Sequence, residues 1–328
     1  MKNMYDIISI GSVVKDIFVI TDRGKIFKTP KDKLAPVWLG FELGEKIRAE
    51  EIKECLGGVA SNLAIGAKKM GMESSLISTV GSDYPWLKKE LEENKIDVSY
   101  LAASKSQEAF SVILVDKKSG ERVIIYNKAS GNIAVDKLSK LKTRWLSVSS
   151  LTGKWSKQAD QIVKYVAKNK TGLILLPSTS QIRDDFSDLK KLLEIAKILI
   201  LNKNEALEIA AKKKARTNNI KDLFKFLHAF GPEIVCVTDG SKGAWASNEK
   251  NILHSPILKV KAVDVTGAGD AFAAGFLGFY LKGKSLEDSL RAGIVNSASV
   301  VKYIGTTPGL LVAKEIARKA KNISTKKI

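Results

Sequence analysis

Hydrophobic positions along the chain change rhythm in a way that predicts a layered α/β protein. Tyr5 to Ile10 is a short apolar run closed by Gly11 and Ser12, which has the length and ending of a buried strand. Residues 17 to 55 then alternate β-branched and aromatic positions with turns (Ile17 to Ile20, Ile26 with Phe27, Trp38 to Phe41), a strand-rich excursion resembling a flap. Gly57 and Gly58 open a helix that runs to Met70 and stops at Gly71. Ser75 to Val80 is the next strand, followed by Gly81 to Asp83 and a helix from Pro85. Phe110 to Val115 and Arg122 to Tyr126 read as a hairpin across Gly120.

From residue 144 onward apolar strands and amphipathic helices alternate: Trp145 to Val148, a helix near 156 to 168, Leu173 to Leu176, a helix near 187 to 195, then Ile198 to Leu201. That alternation predicts a parallel sheet covered by helices. Ile234 to Val237, Ala244 to Ser247 and Ile252 to His254 add short strands, and 271 to 281 is apolar enough to be a buried helix. Ser285 with Asp288 resembles a capping box opening a helix to about Tyr303, and Lys314 to Ile328 reads as a basic helical tail with a frayed end. No repeat or linker separates consecutive domains, so residues 1 to 328 are expected to form one domain, although about 150 residues per domain would allow two.

Composition narrows this picture little. Hydrophobic content of 45% and charged content of 27% are those of a globular chain. The formal charge of +19 could serve nucleic acid, an anionic surface or acidic small molecules. Lysines are spread along the chain with only local clusters at Lys212 to Lys214 and in the tail, so a solvated basic surface is the simpler reading and a nucleic-acid partner is not expected. Cys55 and Cys236 form no CxxC pair, and His228 and His254 have no ligand spacing, which argues against a zinc site or disulfide framework. With no basic head and apolar stretch in residues 1 to 20, and no membrane-length apolar run, a cytoplasmic location without membrane attachment is expected.

The chemistry concentrates in residues 263 to 276. Gly267, Ala268 and Gly269 are small enough for their N–H groups to approach an anion at a helix start, where the dipole favours negative charge. Asp270 beside that cradle would repel a resting phosphate, but it suits a step in which a hydroxyl loses its proton while attacking phosphorus. Asp16 after the first strand stands where ligands meet an open sheet. Asn202 to Glu205 follows a strand and starts a helix, so it reads equally well as a cap or as a metal and phosphate contact. Thr238 to Gly243 could accept phosphates or turn a hairpin corner, and Asn62 in the first turn after Gly57 and Gly58 is by itself an ordinary polar residue.

Two motif matches fail. Gly278 to Ser285 has the spacing of a P-loop but continues an apolar helix, whose N–H groups are used internally. Gly267 and Gly269 lack the third glycine of a dinucleotide fingerprint, with Phe272 in its place and Asp270 at the pyrophosphate position.

The ordered set Gly11 to Asp16, Gly57 and Gly58 with Asn62, Asn202 to Glu205, Thr238 to Gly243, and Asp264-Val-Thr-Gly-Ala-Gly-Asp270 resembles the ribokinase-like (PfkB) carbohydrate kinase family over nearly the whole chain. The resemblance implies an α/β fold with a central, mostly parallel sheet flanked by helices and a small β-sheet lid, here about 17 to 55 and 106 to 128. It implies ATP-dependent phosphorylation of a sugar hydroxyl, with Asp270 as catalytic base and Gly267, Ala268 and Gly269 with the Asp270 N–H as anion hole. Glu205 with Asn202 would organise Mg²⁺ and phosphates through water. Thr238, Gly240 and Gly243 would form the nucleotide loop, and Asn296 would lie beside the adenine. Asp16, Gly58 and Asn62 would hold substrate hydroxyls, Asp264 and Thr266 would form part of a monovalent-cation site for K⁺, and the lid could form a homodimer.

This chain departs from ribokinases proper at Val14 and Val59, where Asn and Lys are usual, so two polar contacts to a pentose are missing. A nucleoside is the alternative acceptor, a phosphosugar a third. Val265 and Gly309 put K⁺ dependence in question, and Leu176 to Ser178 is less polar than the usual strand end. The reading from a different class is a non-catalytic nucleotide- or nucleic-acid-binding protein using the basic surface.

Overall fold

A computed structural model describes residues 4–28, 37–81, 83–104, 109–127, 131–217 and 219–328. Its main sheet has ten strands in the order Lys326–Lys327, Ile252–Ser255, Ala244–Ser247, Ile234–Thr238, Ile198–Asn202, Gly172–Leu175, Thr143–Val148, Tyr5–Ile10, Ser74–Val80 and Leu101–Ala103. Pairing is parallel from Leu101–Ala103 through to Ile234–Thr238, and antiparallel beyond it.

The two faces of this sheet explain the unbroken apolar runs. Successive side chains point to opposite faces, and both are covered. Ile8, Ile10, Leu146, Val148, Leu173, Leu175, Leu199 and Leu201 face one core, shared with the helices Trp155–Asn169, Phe186–Ile195, Lys203–Lys212 and Ile220–His228. Ile7, Ile174, Ile198, Ile200, Ile234 and Cys236 face the other, shared with Val59–Lys69, Ala268–Tyr280, Leu286–Val300 and Ala313–Ala320. Phe272 and Phe276 are fully buried there, each contributing about 1.5–3 kcal/mol. The helix Ala268–Tyr280 is apolar on nearly every side because it lies between neighbouring helices and the sheet. It also absorbs Gly278 to Tyr280, so the glycine that would open a P-loop lies inside the last turns of a helix and the rest of that spacing forms the turn after it.

A second sheet, ordered Glu51–Gly57, Val14–Thr21, Phe110–Asp116, Arg122–Tyr126, forms the lid. It begins at Val14, slightly before the expected 17; of the expected segment 106 to 128, residues 106–108 and 128 lie outside the described residues. Its inward face carries Phe18, Ile20, Ile113 and Val115, on which Cys55 and Ile304 pack. A separate pair, Lys25–Lys28 with Val37–Gly40, lies within the first excursion.

The C-terminal segment differs from the expectation of a frayed helix. The helix covers only Ala313–Ala320, and Lys326–Lys327 pairs antiparallel with Leu253 and His254. Backbone pairing at a sheet edge holds this end in place. The preceding long helix stops at Val300 rather than Tyr303, and the carbonyl of Val301 is used by the N–H groups of Val263 and Asp264.

Candidate active site

The residues singled out from the sequence gather at the carboxyl ends of the parallel strands and beneath the lid. Gly267 is the N-cap of Ala268–Tyr280 with φ 75°, a left-handed conformation that disfavours any residue with a Cβ. In the first turn after it, the Ala268 N–H lies 3.3 Å from the Val265 carbonyl. Gly269 and Asp270 follow as first-turn positions, whose N–H groups lack an intrahelical acceptor.

Asp270 is half-buried, and its Oδ2 accepts a hydrogen bond of 2.6 Å from Asn62 Nδ2. Burial pushes its carboxyl up to about 6, against the lowering effect of the Asn62 amide. Asn62 is buried, and its Oδ1 lies 2.8 Å from the Thr306 hydroxyl, which also lies 3.0 Å from the Leu56 carbonyl. Asn62 was expected to hold substrate; in this structure its amide is engaged by Asp270 and Thr306. The approach of its helix to Asp270 depends on Gly66, where a Cβ would stand 2.3 Å from that of Ala274.

Asp16 is buried on the inward face of the lid. Its carboxyl is pushed up to about 7 by burial, opposed by a hydrogen bond from Ser111 and reinforced by the charges of Asp270 and Asp264. It lies over Gly57, where a Cβ would come 1.9 Å from Oδ2. Gly58 caps the following helix, and a Cβ there would meet the Ser12 carbonyl at 2.4 Å.

Asn202 and Glu205 turn out to be both a cap and a cleft wall. The Glu205 N–H donates to Asn202 Oδ1, and the Asn202 N–H donates to Glu205 Oε2, each at 2.9 Å. Both line a cleft of about 320 Å³ with Thr179, Arg183, Lys203, Glu208, Thr238, Asp239 and Gly240. Burial pushes Glu205 up to about 7, with the Asn202 N–H lowering it and Asp270 raising it. Arg183 pairs with Glu208 at 2.7 Å and Lys203 with Asp239 at 2.8 Å, so cations and carboxylates alternate around this opening. Thr238 pairs in register with Asn202, which puts both at neighbouring strand ends.

Three expected residues are placed differently. Gly243 is not part of this cleft wall; it turns the corner into Ala244–Ser247, with Ser255 packed against it. Asn296 is completely buried, its amide donating to the Ala271 carbonyl at 2.8 Å and accepting from the Leu311 N–H at 3.0 Å. It ties the start of the central helix to a neighbouring segment, with no face turned to a ligand. Asp264 is also completely buried: Oδ1 accepts from the Thr266 N–H and hydroxyl at 2.9 and 2.6 Å, and Oδ2 from the Gly305 N–H at 3.1 Å.

Sequence reasoning missed Ser111, Thr179, Arg183, Lys203 and Thr306. Arg183 and Thr179 belong to a short helix capped by Ser178, directly after the strand Gly172–Leu175. Their position at a strand end was a usable signal. Ser111 and Thr306 gave none, because their partners are distant in sequence.

Among the described residues no helix is long and apolar enough to cross a membrane. The sequence matches the pfkB family carbohydrate kinase profile over residues 33–312. It is 29% identical over 314 residues to an ATP-dependent 6-phosphofructokinase of Thermoanaerobacterium thermosaccharolyticum, covering 92% of this chain and 89% of that one. It is 25% identical to a nucleoside kinase of Methanocaldococcus jannaschii, covering 82% and 86% of the two chains. The crystal structure of a ribokinase from Thermotoga maritima superposes with a TM-score of 0.75 at 22% identity, over 97% of this chain and all (100%) of that one. The chain belongs to the pfkB family of carbohydrate kinases, phosphotransferases on the ribokinase fold.

Proposed function

We propose that residues 1 to 328 act as one kinase domain that transfers the γ-phosphoryl group of ATP to a hydroxyl of a small sugar, with Asp270 as the base. The observation that carries this reading is the half-buried Asp270 carboxylate beside the anion turn, held by Asn62 and brought to about 6 by burial. A base with that affinity is ionised at neutral pH yet can take a proton from an attacking hydroxyl. The N–H groups at the helix start stabilise charge on the transferred group, with Gly267 setting the turn.

Asp16, with Gly58 beside it, orients the acceptor hydroxyls from the lid side. The cleft at Asn202, Glu205, Thr238 and Gly240 takes the nucleotide, with Lys203 and Arg183 near its phosphates. Its donor set fits Mg²⁺ carried by ATP: Glu205 is half-buried with a raised proton affinity, the neighbouring Glu208 and Asp239 are paired with Arg183 and Lys203, and among the described residues no three acidic, His or Cys side chains converge into a cation cage. The bound ion would neutralise phosphate charge there, and Glu205 would orient its waters.

A nucleoside acceptor is favoured by a separate observation. Asp16, Ser111 and Tyr126 stand opposite one another across three lid strands, and Tyr126 and Ile124 on the same inward face are 63% and 43% exposed. An exposed ring and an aliphatic side chain next to a hydroxyl-binding carboxylate suit a base better than a bare sugar. The opposite face, with Ile52, Val123 and Ile125 exposed, supports a homodimer through the lid.

The test is Mg-ATP with a panel of pentoses, hexoses, their phosphates and nucleosides, following ADP release and the phosphorylated product. A sugar product supports the leading reading and a nucleoside product the second. ATP turnover with no acceptor, accompanied by a shift of labelled nucleic acid at physiological salt, would favour a binding protein instead.

A further inference from the structure

We infer that the Arg122 guanidinium, carried on the inward face of the lid, supplies the positive charge that balances Asp264 behind the anion turn, in place of a monovalent cation. This rests on the kinase reading above and adds a positioning residue to it.

The placement follows from strand register. Arg122 stands directly opposite Val115, so it shares the buried lid face of Phe18, Ile20, Ile113 and Val115. Ile304 packs on that face, and the next residue, Gly305, donates its N–H to Asp264 Oδ2. The hairpin tip arrives at the same place from the other side: a Cβ on Gly120 would lie 3.4 Å from the Val263 carbonyl oxygen and 3.5 Å from that of Ala262. The turn at Gly120 therefore rests on the two residues that precede Asp264.

Arg122 Nε is buried with no hydrogen-bond partner among the described residues. A guanidinium is almost never left in such a position without a compensating charge. Burial lowers its affinity for the proton, and the strongest opposing attraction comes from Asp264, ahead of its neighbour Glu121. Asp264 has the reciprocal need, since it is wholly enclosed and its three hydrogen-bond donors, from Thr266 and Gly305, are all neutral.

The residues present do not fit K⁺ well. Both oxygens of Asp264 are already engaged, and a second positive charge would have to enter low-dielectric surroundings beside a guanidinium. With Arg122 in that role, the charge behind the turn arrives with the lid. Asp264 and Thr266 lead directly into Gly267, so the attraction between Arg122 and Asp264 couples the lid to the anion turn.

The experiment compares the full chain with Arg122→Met and Arg122→Lys in K⁺, Na⁺ and tetramethylammonium chlorides at matched ionic strength. It reads the thermal midpoint without nucleotide and the rate of ATP-dependent transfer. The wild type should change by less than about twofold among the salts, because exposed charges are screened equally in all three. Arg122→Met should lose about tenfold or more in tetramethylammonium and regain rate and thermal midpoint in K⁺, while Arg122→Lys stays close to wild type. A wild type that needs K⁺ overturns the inference, whether or not the variants fold. So does an Arg122→Met protein equally active in all salts. If the wild type phosphorylates no acceptor, the kinase reading fails on its own, and the salt dependence of the thermal midpoints still decides the role of Arg122.

Discussion

Replacing Asn62 with alanine removes the 2.6 Å hydrogen bond that steadies the ionised form of Asp270. A hydrogen bond to a charged group contributes about 1.5–3 kcal/mol. Each pH unit corresponds to about 1.36 kcal/mol, so the carboxyl should rise by roughly 1 to 2 units above its starting value. Starting from about 6, it would then titrate between neutral and mildly alkaline pH. Only the ionised form accepts a proton, so the acid limb of kcat/KM against pH should move to higher pH, while the alkaline plateau falls less than the rate at pH 6. Thr306→Val is the control: Thr306 reaches Asn62 but not Asp270, so the limb should move less. An Asn62→Ala profile that drops uniformly at all pH values, with its midpoint unmoved, would refute the claim that Asn62 acts by tuning Asp270.

Gly66→Val should lower the free energy of unfolding by about 1–3 kcal/mol through overpacking, since even a Cβ there lies 2.3 Å from that of Ala274. Activity should fall with it, and unchanged urea unfolding would show that the two helices are not in close contact. Asp16→Asn should stabilise the unliganded protein at pH 8 by up to roughly 4 kcal/mol, because the wild-type carboxyl keeps its proton in the fold up to about 7. Unfolded Asp16 releases its proton near pH 4, so wild-type stability relative to the variant is lost as pH rises from about 4 to 7 and is level above that. Thermal scans across this range should show the gap opening with pH; a gap that opens toward acid would contradict the burial of Asp16. Glu205→Gln keeps the capping pattern, so it should fold normally. It should nevertheless raise the Mg²⁺ concentration for half-maximal rate by about tenfold or more, with the acceptor KM little changed. An unchanged Mg²⁺ dependence would reduce Glu205 to a helix cap.

The fold was legible wherever burial imposes a simple period. The parallel strands Tyr5–Ile10, Thr143–Val148 and Ile198–Asn202 are apolar on both faces because both faces are covered, and their turn residues mark the edge where the site lies. The position of Asp270 at the start of the buried helix was legible from the glycine turn that precedes it. Asn202 and Glu205 could be read as a cap or a ligand contact, and the structure shows that reciprocal capping and cleft lining coexist. What stayed hidden was set by long-range contact. Thr306 reaches Asn62 across 244 positions, and Ser111 meets Asp16 only through strand pairing in the lid. Asn296 illustrates the reverse case: the family resemblance placed it beside the adenine, yet its amide joins two buried backbone groups. The tail was misjudged because Lys326 and Lys327 carry no apolar signal; their backbone, rather than their side chains, docks them.

Transfer from γ-labelled ATP to the best acceptor by wild type and Asp270→Asn, with nucleotide affinity measured in parallel, tests the central claim most directly. Loss of the proton acceptor should reduce kcat by at least about 10²–10⁴-fold while ATP still binds. Wild-type-like transfer by Asp270→Asn would contradict the assignment of Asp270 as the base.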